Sequence, residues 1–333
     1  MSDTVLASGK LPAALLRDLL ATDEPTLPEL LLPPRAGEDA GVIAVADGAL
    51  VVAGDPVTMT GADVGAHAVL VNANDIAVTG VRPRWFLATI LLPEGVNEDE
   101  IRALFSGMRA MLKKHDILLV GGHIEITASV RQTVVSGHML GYAPDGVFLR
   151  TADLQTGDVI LQIGTAPVEA AAVLANEIAA AEQAVSAELW HAALGALNTP
   201  GISVIEPALR AVSLGAHALH DPTEGGLSAG LYEMAEAAGL ALQLNEDAVL
   251  WFEPGIALCR ALEADPWGAL ASGALLAAFP ADGAEAACRT LIAEGYSAAA
   301  IAHAGPGAGV KFSDGRALPR YERDEVLRLL SAS

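Results

Sequence analysis

Residues 71–83 read VNANDIAVTGVRP, and Asn74 and Asp75 interrupt an otherwise apolar, helix-like run that Gly80 and Pro83 close. A carboxylate inside an apolar helix is costly to bury unless something pairs with it. A hard cation such as Mg2+ is a natural partner, since it takes carboxylate oxygens and leaves its other positions to water and phosphate. An Asn-Asp pair on a solvated helix face is the alternative. Four more segments share this chemistry. Gly37-Glu38-Asp39 stands at the mouth of an apolar strand, Gly54-Asp55-Pro56 follows the next, Gly121-Gly122-His123 follows a third, and His220-Asp221-Pro222-Thr223-Glu224-Gly225-Gly226 opens a helix. Glycine lets a backbone approach a ligand closely, and a helix N-terminus offers free N–H groups to an anion. Several Asp side chains in one cleft would repel one another. Metal ions bridging them to a polyphosphate would relieve that repulsion and neutralise charge during phosphoryl transfer. Taken singly, each piece has a plainer reading: Asp39 as a turn cap, His123 as a loop histidine, His220–Thr223 as a helix N-cap.

The elements that must position these residues alternate along the chain. Val42–Val45 and Ala49–Ala53 are apolar runs with Asp47-Gly48 between them, a strong hairpin signal. A helix is predicted over 62–79, a strand at Trp85–Leu92, and a helix over 97–115 with Asn97 as N-cap and acidic residues in its first turn. A strand at Ile117–Val120 is expected to run into Gly121-Gly122, and another covers 130–142. The pattern weakens at 143–157, which places a domain boundary near residue 150. Beyond it, strands are expected at 158–163, 217–219, 241–244, 273–279, 298–303 and 308–312. Helices are expected through 195 and at 205–215, 226–238 and 283–294. Before the first hairpin, a short helix is expected at 11–21 and an extended, proline-rich connection at 22–36. The hairpins argue for mixed sheets, hence an α+β or mixed α/β architecture.

Composition limits the partners. With 19 Lys and Arg against 41 Asp and Glu, the net charge is −22. That argues against broad binding to nucleic acid or anionic membranes, though not against a nucleotide held by local groups or a metal. Cys259 and Cys288 form no CxxC pair, so no zinc or redox motif arises. The N-terminal MSDTVLASGKLP is not a secretory signal, and no window reaches the ~18 apolar residues of a membrane span, so a cytoplasmic protein is expected. Ser8-Gly9-Lys10 is too short for a phosphate loop, and neither GxxxxGK[ST] nor a credible GxGxxG is present.

GEDAGV, AGDPVT, NANDIAVTGVRP, GGHIEI and HDPTEGGL, in this order and at these distances, resemble the aminoimidazole ribonucleotide (AIR) synthase superfamily over roughly residues 9–310. The chain looks most like its hydrogenase-maturation dehydratases, with HDPTxGGL the most specific marker. Thiamine-monophosphate kinase and selenophosphate synthetase are more distant members. The resemblance implies two domains, residues 1–150 and 151–333. The first would bind ATP and pair with its copy as a β-barrel in a homodimer. It implies ATP in a cleft between sheet and helices, with Mg2+ on its phosphates and an oxygen or selenium atom as phosphoryl acceptor. Carried over by position, Asp39, Asp55 and Asp75 become metal or phosphate-metal ligands. Gly9, Lys10, Asn74, Gly121, Gly122 and Thr223 become nucleotide-site residues, and His123, Asp221 and Glu224 the candidates for catalysis.

The chain also departs from these relatives. It ends LRLLSAS, without the terminal cysteine that carries the carbamoyl group in the hydrogenase-maturation proteins, so that carrier step is not expected in its usual form. Glu224 stands where those proteins often have a basic residue. LASGKLP lacks the reactive Cys or Sec of selenophosphate synthetase, and Asp221-Pro222-Thr223-Glu224-Gly225 replaces the kinase's DxSDG. The expected activity is ATP- and Mg2+-dependent phosphorylation of a small-molecule oxygen, or activation of an amide. A nucleotide-binding maturation factor with a protein partner and a catalytically degenerate paralogue are the alternatives.

Overall fold

A computed structural model describes residues 28–33, 35, 37–58 and 63–332; Gly9, Lys10 and the helix expected at 11–21 lie outside these. The chain divides into two compact units, one built on Asp39–Phe148 and the other on residues 149–332.

The first unit runs β1 (Leu30–Leu32), β2 (Gly41–Val45), β3 (Gly48–Ala53), β4 (Pro56–Val57), α1 (Val64–Ala77), β5 (Pro83–Leu92), α2 (Glu98–Lys114), β6 (Leu118–Ile126) and β7 (Val134–Ala143). Seven strands form one sheet in the order β1-β2-β3-β7-β5-β6, with β4 also on β7. The Ala46-Asp47 turn closes the β2–β3 hairpin, with Val45 opposite Gly48. Only β5 and β6 pair in parallel.

Helix α1 is buried on nearly every side: Gly65, Ala66, Ala68–Leu70 and Asn72–Ala77 are all inaccessible. Its first turn is held by Asp63, whose carboxylate accepts the Ala66 N–H at 3.2 Å. Two glycines let α2 come this close. A Cβ on Gly65 would lie 2.3 Å from the Leu104 carbonyl oxygen, and one on Gly107 would lie 1.9 Å from Asp63 Oδ1. Helix α2 opens with a capping box: Asn97 accepts the Glu100 N–H at 3.0 Å and Glu100 accepts the Asn97 N–H at 3.2 Å.

Strand β6 corrects one expectation. The Gly121-Gly122 pair does not end the strand at Val120, because pairing with β5 continues to Ile126. Val120 is bulged out where Phe86 pairs with Leu119 and Leu87 with Gly121. Gly122 is needed for that continuation: its φ is 144°, and a Cβ there would sit 2.2 Å from the Ala88 carbonyl oxygen.

The second unit runs β8 (Val159–Ile163), α3 (Val168–Glu177), α4 (Ala181–Ala184), α5 (Ala187–Leu194), α6 (Ile205–Ser213), β9 (Ala218–His220), α7 (Gly226–Ala238), β10 (Ala241–Leu244), α8 (Glu253–Ala261), β11 (Leu275–Phe279), α9 (Ala281–Ala293), β12 (Ala298–Gly305), β13 (Gly309–Phe312) and α10 (Glu325–Ala332). Its six-stranded sheet has the order β13-β10-β12-β8-β11-β9, and only β10–β13 is parallel. Leu227, Leu231 and Met234 of α7 pack with Leu242, Leu276, Ile301 and Phe312 in the core. Helices α8 and α10 were not anticipated from the sequence. Both are short, and α10 is defined by its docking as much as by its apolar periodicity. The mixed sheets agree with the α+β reading.

Gly107→Ala should displace Asp63 from the first turn of α1. Loss of that cap is worth about 1 kcal/mol, so urea denaturation should show a lower midpoint with an unchanged slope.

Candidate active site

In the first unit the site is organised from α1. Asn72, fully buried, reaches across to the Gly54-Asp55-Pro56 turn. Its Oδ1 accepts the Asp55 N–H at 2.8 Å, and its Nδ2 donates to the Asp55 carbonyl at 3.1 Å and to the Ala68 carbonyl at 2.8 Å. The Gly137 N–H also donates to the Asp55 carbonyl, at 3.0 Å. Two glycines make room for this arrangement. A Cβ on Gly137 would lie 2.4 Å from Asn72 Nδ2, and one on Gly54 would lie 2.5 Å from His138 Nδ1. The turn is therefore pinned through its backbone, which leaves the Asp55 side chain exposed.

One turn further along α1, Asn74 and Asp75 are 1% and 8% exposed. Asp39 is half-buried just ahead of β2. On β6, Gly121, Gly122 and His123 are exposed, and His123 Nε2 lies 3.3 Å from Glu125 Oε2. Among the described residues no three His, Cys, Asp or Glu side chains are grouped so as to hold a metal ion. Asp39, Asp55 and Asp75 are thus not a preformed cage.

In the second unit the chemistry gathers on the turn between β9 and α7. Asp221 is 4% exposed, and Thr223 and Glu224 are half-buried. Pro222 lies against Gly230, where a Cβ would come within 2.7 Å of the Pro222 Cβ. The Thr223 carbonyl accepts the Gly226 N–H at 3.1 Å and the Ala271 N–H at 3.2 Å. Gly225 and Gly226 are both left-handed, with φ 82° and 69°, and a Cβ on Gly226 would lie 2.4 Å from the Trp267 carbonyl oxygen. Only glycine fits there. His220, 2% exposed, points its Nε2 to Glu233 of α7 at 2.9 Å, so it is a structural pair.

Three acids have partners that no local pattern shows. Glu38 belongs to a motif that was singled out, but its carboxylate serves the backbone, accepting the Thr151 N–H at 3.1 Å and the Ala152 N–H at 3.4 Å. Glu169 is buried and accepts the Ser272 hydroxyl. Asp324 is buried and accepts the Gly225 N–H at 2.8 Å. Burial pushes the Asp324 carboxyl up to about 7, against the two N–H groups it accepts, with Glu224 and Glu169 adding to the rise. No local motif marks Glu169 or Asp324. Asn72 could have been found, because it is a polar residue in the same apolar helix that drew attention to Asp75.

The profile of the AIR synthase related protein N-terminal domain matches residues 37–143, and that of the C-terminal domain matches residues 155–315. The chain belongs to the AIR synthase related proteins. This member is 29% identical over 255 residues to the carbamoyl dehydratase HypE of Rhodobacter capsulatus, covering 75% of this chain and 72% of that one. It is 25% identical over 286 residues to a putative hydrogenase expression/formation protein of Methanocaldococcus jannaschii, covering 84% and 82%. Among solved structures, HypE in complex with ATP superposes with a TM-score of 0.72 at 22% identity, covering 87% of this chain and 90% of that one. The HypE–HypF complex gives 0.71 at 21%, covering 86% and 94%. Thiamine-monophosphate kinase from Stenotrophomonas maltophilia gives 0.69 at 26%, covering 87% and 93%. The AIR synthase related fold is therefore shared by this chain.

Asn72→Ala should release the Asp55 turn and leave its backbone groups without their partner. A loss of about 1–3 kcal/mol in unfolding free energy is expected, read by urea denaturation.

Proposed function

We propose that this AIR synthase related protein is an ATP-dependent enzyme that phosphorylates an oxygen of a small acceptor, or activates a carboxamide through that oxygen. The observation that carries this reading is the buried Asn72–Asp75 face of α1, which pins the Asp55 turn and sets a carboxylate into an apolar helix. A buried carboxylate of this kind needs a cation or donor beside it. The donor set is all hard oxygen, which suits Mg2+. With no three acids grouped among the described residues, such an ion would lean on phosphate and water for the rest of its shell. Asp75, Asp55 and Asp39 would hold Mg2+, which when bound neutralises phosphate charge during transfer.

The chain's own residues have distinct tasks in this reading. Gly121 offers open backbone to a nucleotide: a Cβ there would meet only Leu87 Cδ2, at 3.5 Å. Asn74 and Gly122 are our further candidates for nucleotide contact in the first unit and Thr223 in the second; Gly9 and Lys10, the other candidates, lie outside the described residues. Asp221 and Glu224 stand on the turn that opens α7, and His123 on the exposed face of β6; these three are our candidates for acid–base work. Neither thiol serves as a carrier. Cys259 is buried and pushed up to about 12 by that burial, which keeps it protonated and inert. Cys288 is half-buried with its thiol 3.6 Å from the Ala298 carbonyl. HypE with bound ATP and HypE named as a carbamoyl dehydratase make carboxamide activation the leading acceptor chemistry.

The HypE–HypF complex favours a second reading, a maturation factor that works with a protein partner. We also infer a homodimer, in which the first units pair as a β-barrel. Strand β6 lies at the sheet edge with Leu118, Val120 and Ile126 at 60%, 52% and 58% exposure. A long apolar edge strand left open invites pairing with another chain. We place the protein in the cytoplasm; among the described residues no helix is long and apolar enough to cross a membrane.

Two measurements test these readings. In calorimetry the natural chain should bind ATP only with Mg2+, and Asp75→Asn should weaken that binding by at least about tenfold, as for a lost charge-assisted contact. A natural chain that binds no Mg-ATP would sink the enzyme reading. Light scattering should give twice the chain mass for the natural protein and a single mass for Val120→Asp. A natural chain of single mass would remove the dimer.

A further inference from the structure

The last fifteen residues of the second unit form a strap along α7. The Tyr232 hydroxyl donates to the Leu318 carbonyl at 2.7 Å, and the Ser228 hydroxyl donates to the Pro319 carbonyl. Arg320 lies over the Tyr232 ring, 3.6 Å from its centroid, and reaches Glu236 at 2.6 Å. Tyr321 fills a notch at Gly268, where a Cβ would come within 2.5 Å of its ring. Glu325 Oε2 then accepts the Asp265 N–H at 2.9 Å, and Arg328 donates to the Glu263 carbonyl at 2.7 Å. Between these anchors sits Asp324, 4% exposed.

Both Asp324 oxygens are engaged, each by a different helix start. Oδ2 accepts the N–H of Gly225, the N-cap residue of α7, at 2.8 Å. Oδ1 accepts the N–H of Val326 in the first turn of α10, also at 2.8 Å. The carboxylate thus joins the strap to the backbone of the Asp221–Gly226 turn.

We propose that Asp324 is the positioning residue of this turn: by holding the Gly225 N–H from α10, it makes the C-terminal strap set how Asp221, Thr223 and Glu224 are presented. The geometry has a chemical consequence. An ionised carboxylate accepts both N–H groups strongly, whereas a protonated one carries hydrogen on one oxygen, which then accepts only weakly. Arg323, beside Asp324 in the chain, donates to the Ser331 hydroxyl. The acids that raise Asp324 are Glu224 on the turn itself and Glu169 at the start of α3, and Cys259 on α8 lies nearby. Against two helix N-termini, which favour the anion, burial and these neighbours bring the titration to about 7. The Gly225 and Val326 ties are therefore both at full strength above neutrality, and protonation below it weakens the hold on the turn.

The test compares the natural full-length chain with Asp324→Asn, a variant that keeps size and one acceptor oxygen but does not titrate. Asp324→Ala serves as a second variant that removes both acceptors. Amide hydrogen exchange of the peptide covering 221–226 is read at pH 8 and pH 6, each variant against the natural chain at the same pH. At pH 8 both variants should exchange there about tenfold faster, as for the loss of a hydrogen bond to a charged group. At pH 6 the natural chain and Asp324→Asn should converge. Equal exchange at pH 8, or a difference that does not shrink at pH 6, overturns the proposal.

A second arm, calorimetry with Mg-ATP, rests on the nucleotide reading above. Affinity in the natural chain should weaken from pH 8 to pH 6 by about the same factor and stay flat in Asp324→Asn. A natural chain that binds Mg-ATP with no such difference removes Asp324 from the site. A natural chain that binds none fails the nucleotide reading, and the exchange arm then decides the proposal alone.

Discussion

The cost of placing polar side chains inside an all-buried helix governs the first unit. Helix α1 has almost no exposed face, so Asn72, Asn74 and Asp75 cannot be satisfied by water. Asn72 answers that cost with two hydrogen bonds that clamp a neighbouring turn and a third to the Ala68 carbonyl of its own helix. The same bonds fix Asp55 in place. The glycines at 54 and 137 follow from this, since each stands where a Cβ would break into the clamp or into His138. The close approach of α2 at Gly65 and Gly107 is what buries α1 in the first place. One constraint thus links helix packing, turn geometry and the carboxylates to which chemistry is assigned.

The second unit meets a comparable cost differently. Its turn at 221–226 is shaped by glycine at two left-handed positions, Gly225 against Ala229 and Gly226 against the Trp267 and Ala269 carbonyls. It is also tied down by a side chain from nearly a hundred residues away. Buried acids are normally expensive, and four of them, Asp158, Glu169, Asp221 and Asp324, lie in this unit. Backbone N–H groups and a hydroxyl supply the compensation for Glu169 and Asp324. Such groups keep function and fold in the same residues, which is why substitution here is expected to alter both.

Much of the fold was legible because local signals agreed with one another. The Asp47-Gly48 hairpin, the Asn97 cap with Glu100, and the apolar strands of both sheets follow from turn chemistry and periodicity. Strand β6 was cut short because Gly-Gly ordinarily stops a strand. Only the partner carbonyl at Ala88 shows that glycine is what allows this pairing. Helices α8 and α10 were passed over, since helices of nine and eight residues carry little periodic signal.

The sequence by itself determined the family, the alternation of elements and the positions of Asp55, Asp75, Gly122 and Asp221, because short motifs and spacing are encoded locally. Tertiary structure decided what those residues do for one another. It made Asn72 a clamp, Glu38 a backbone cap, His220 a hydrogen-bond partner of Glu233, and Asp324 a neighbour of Gly225. Each of those roles is a contact between residues far apart in the chain, and no local pattern of side chains contains it.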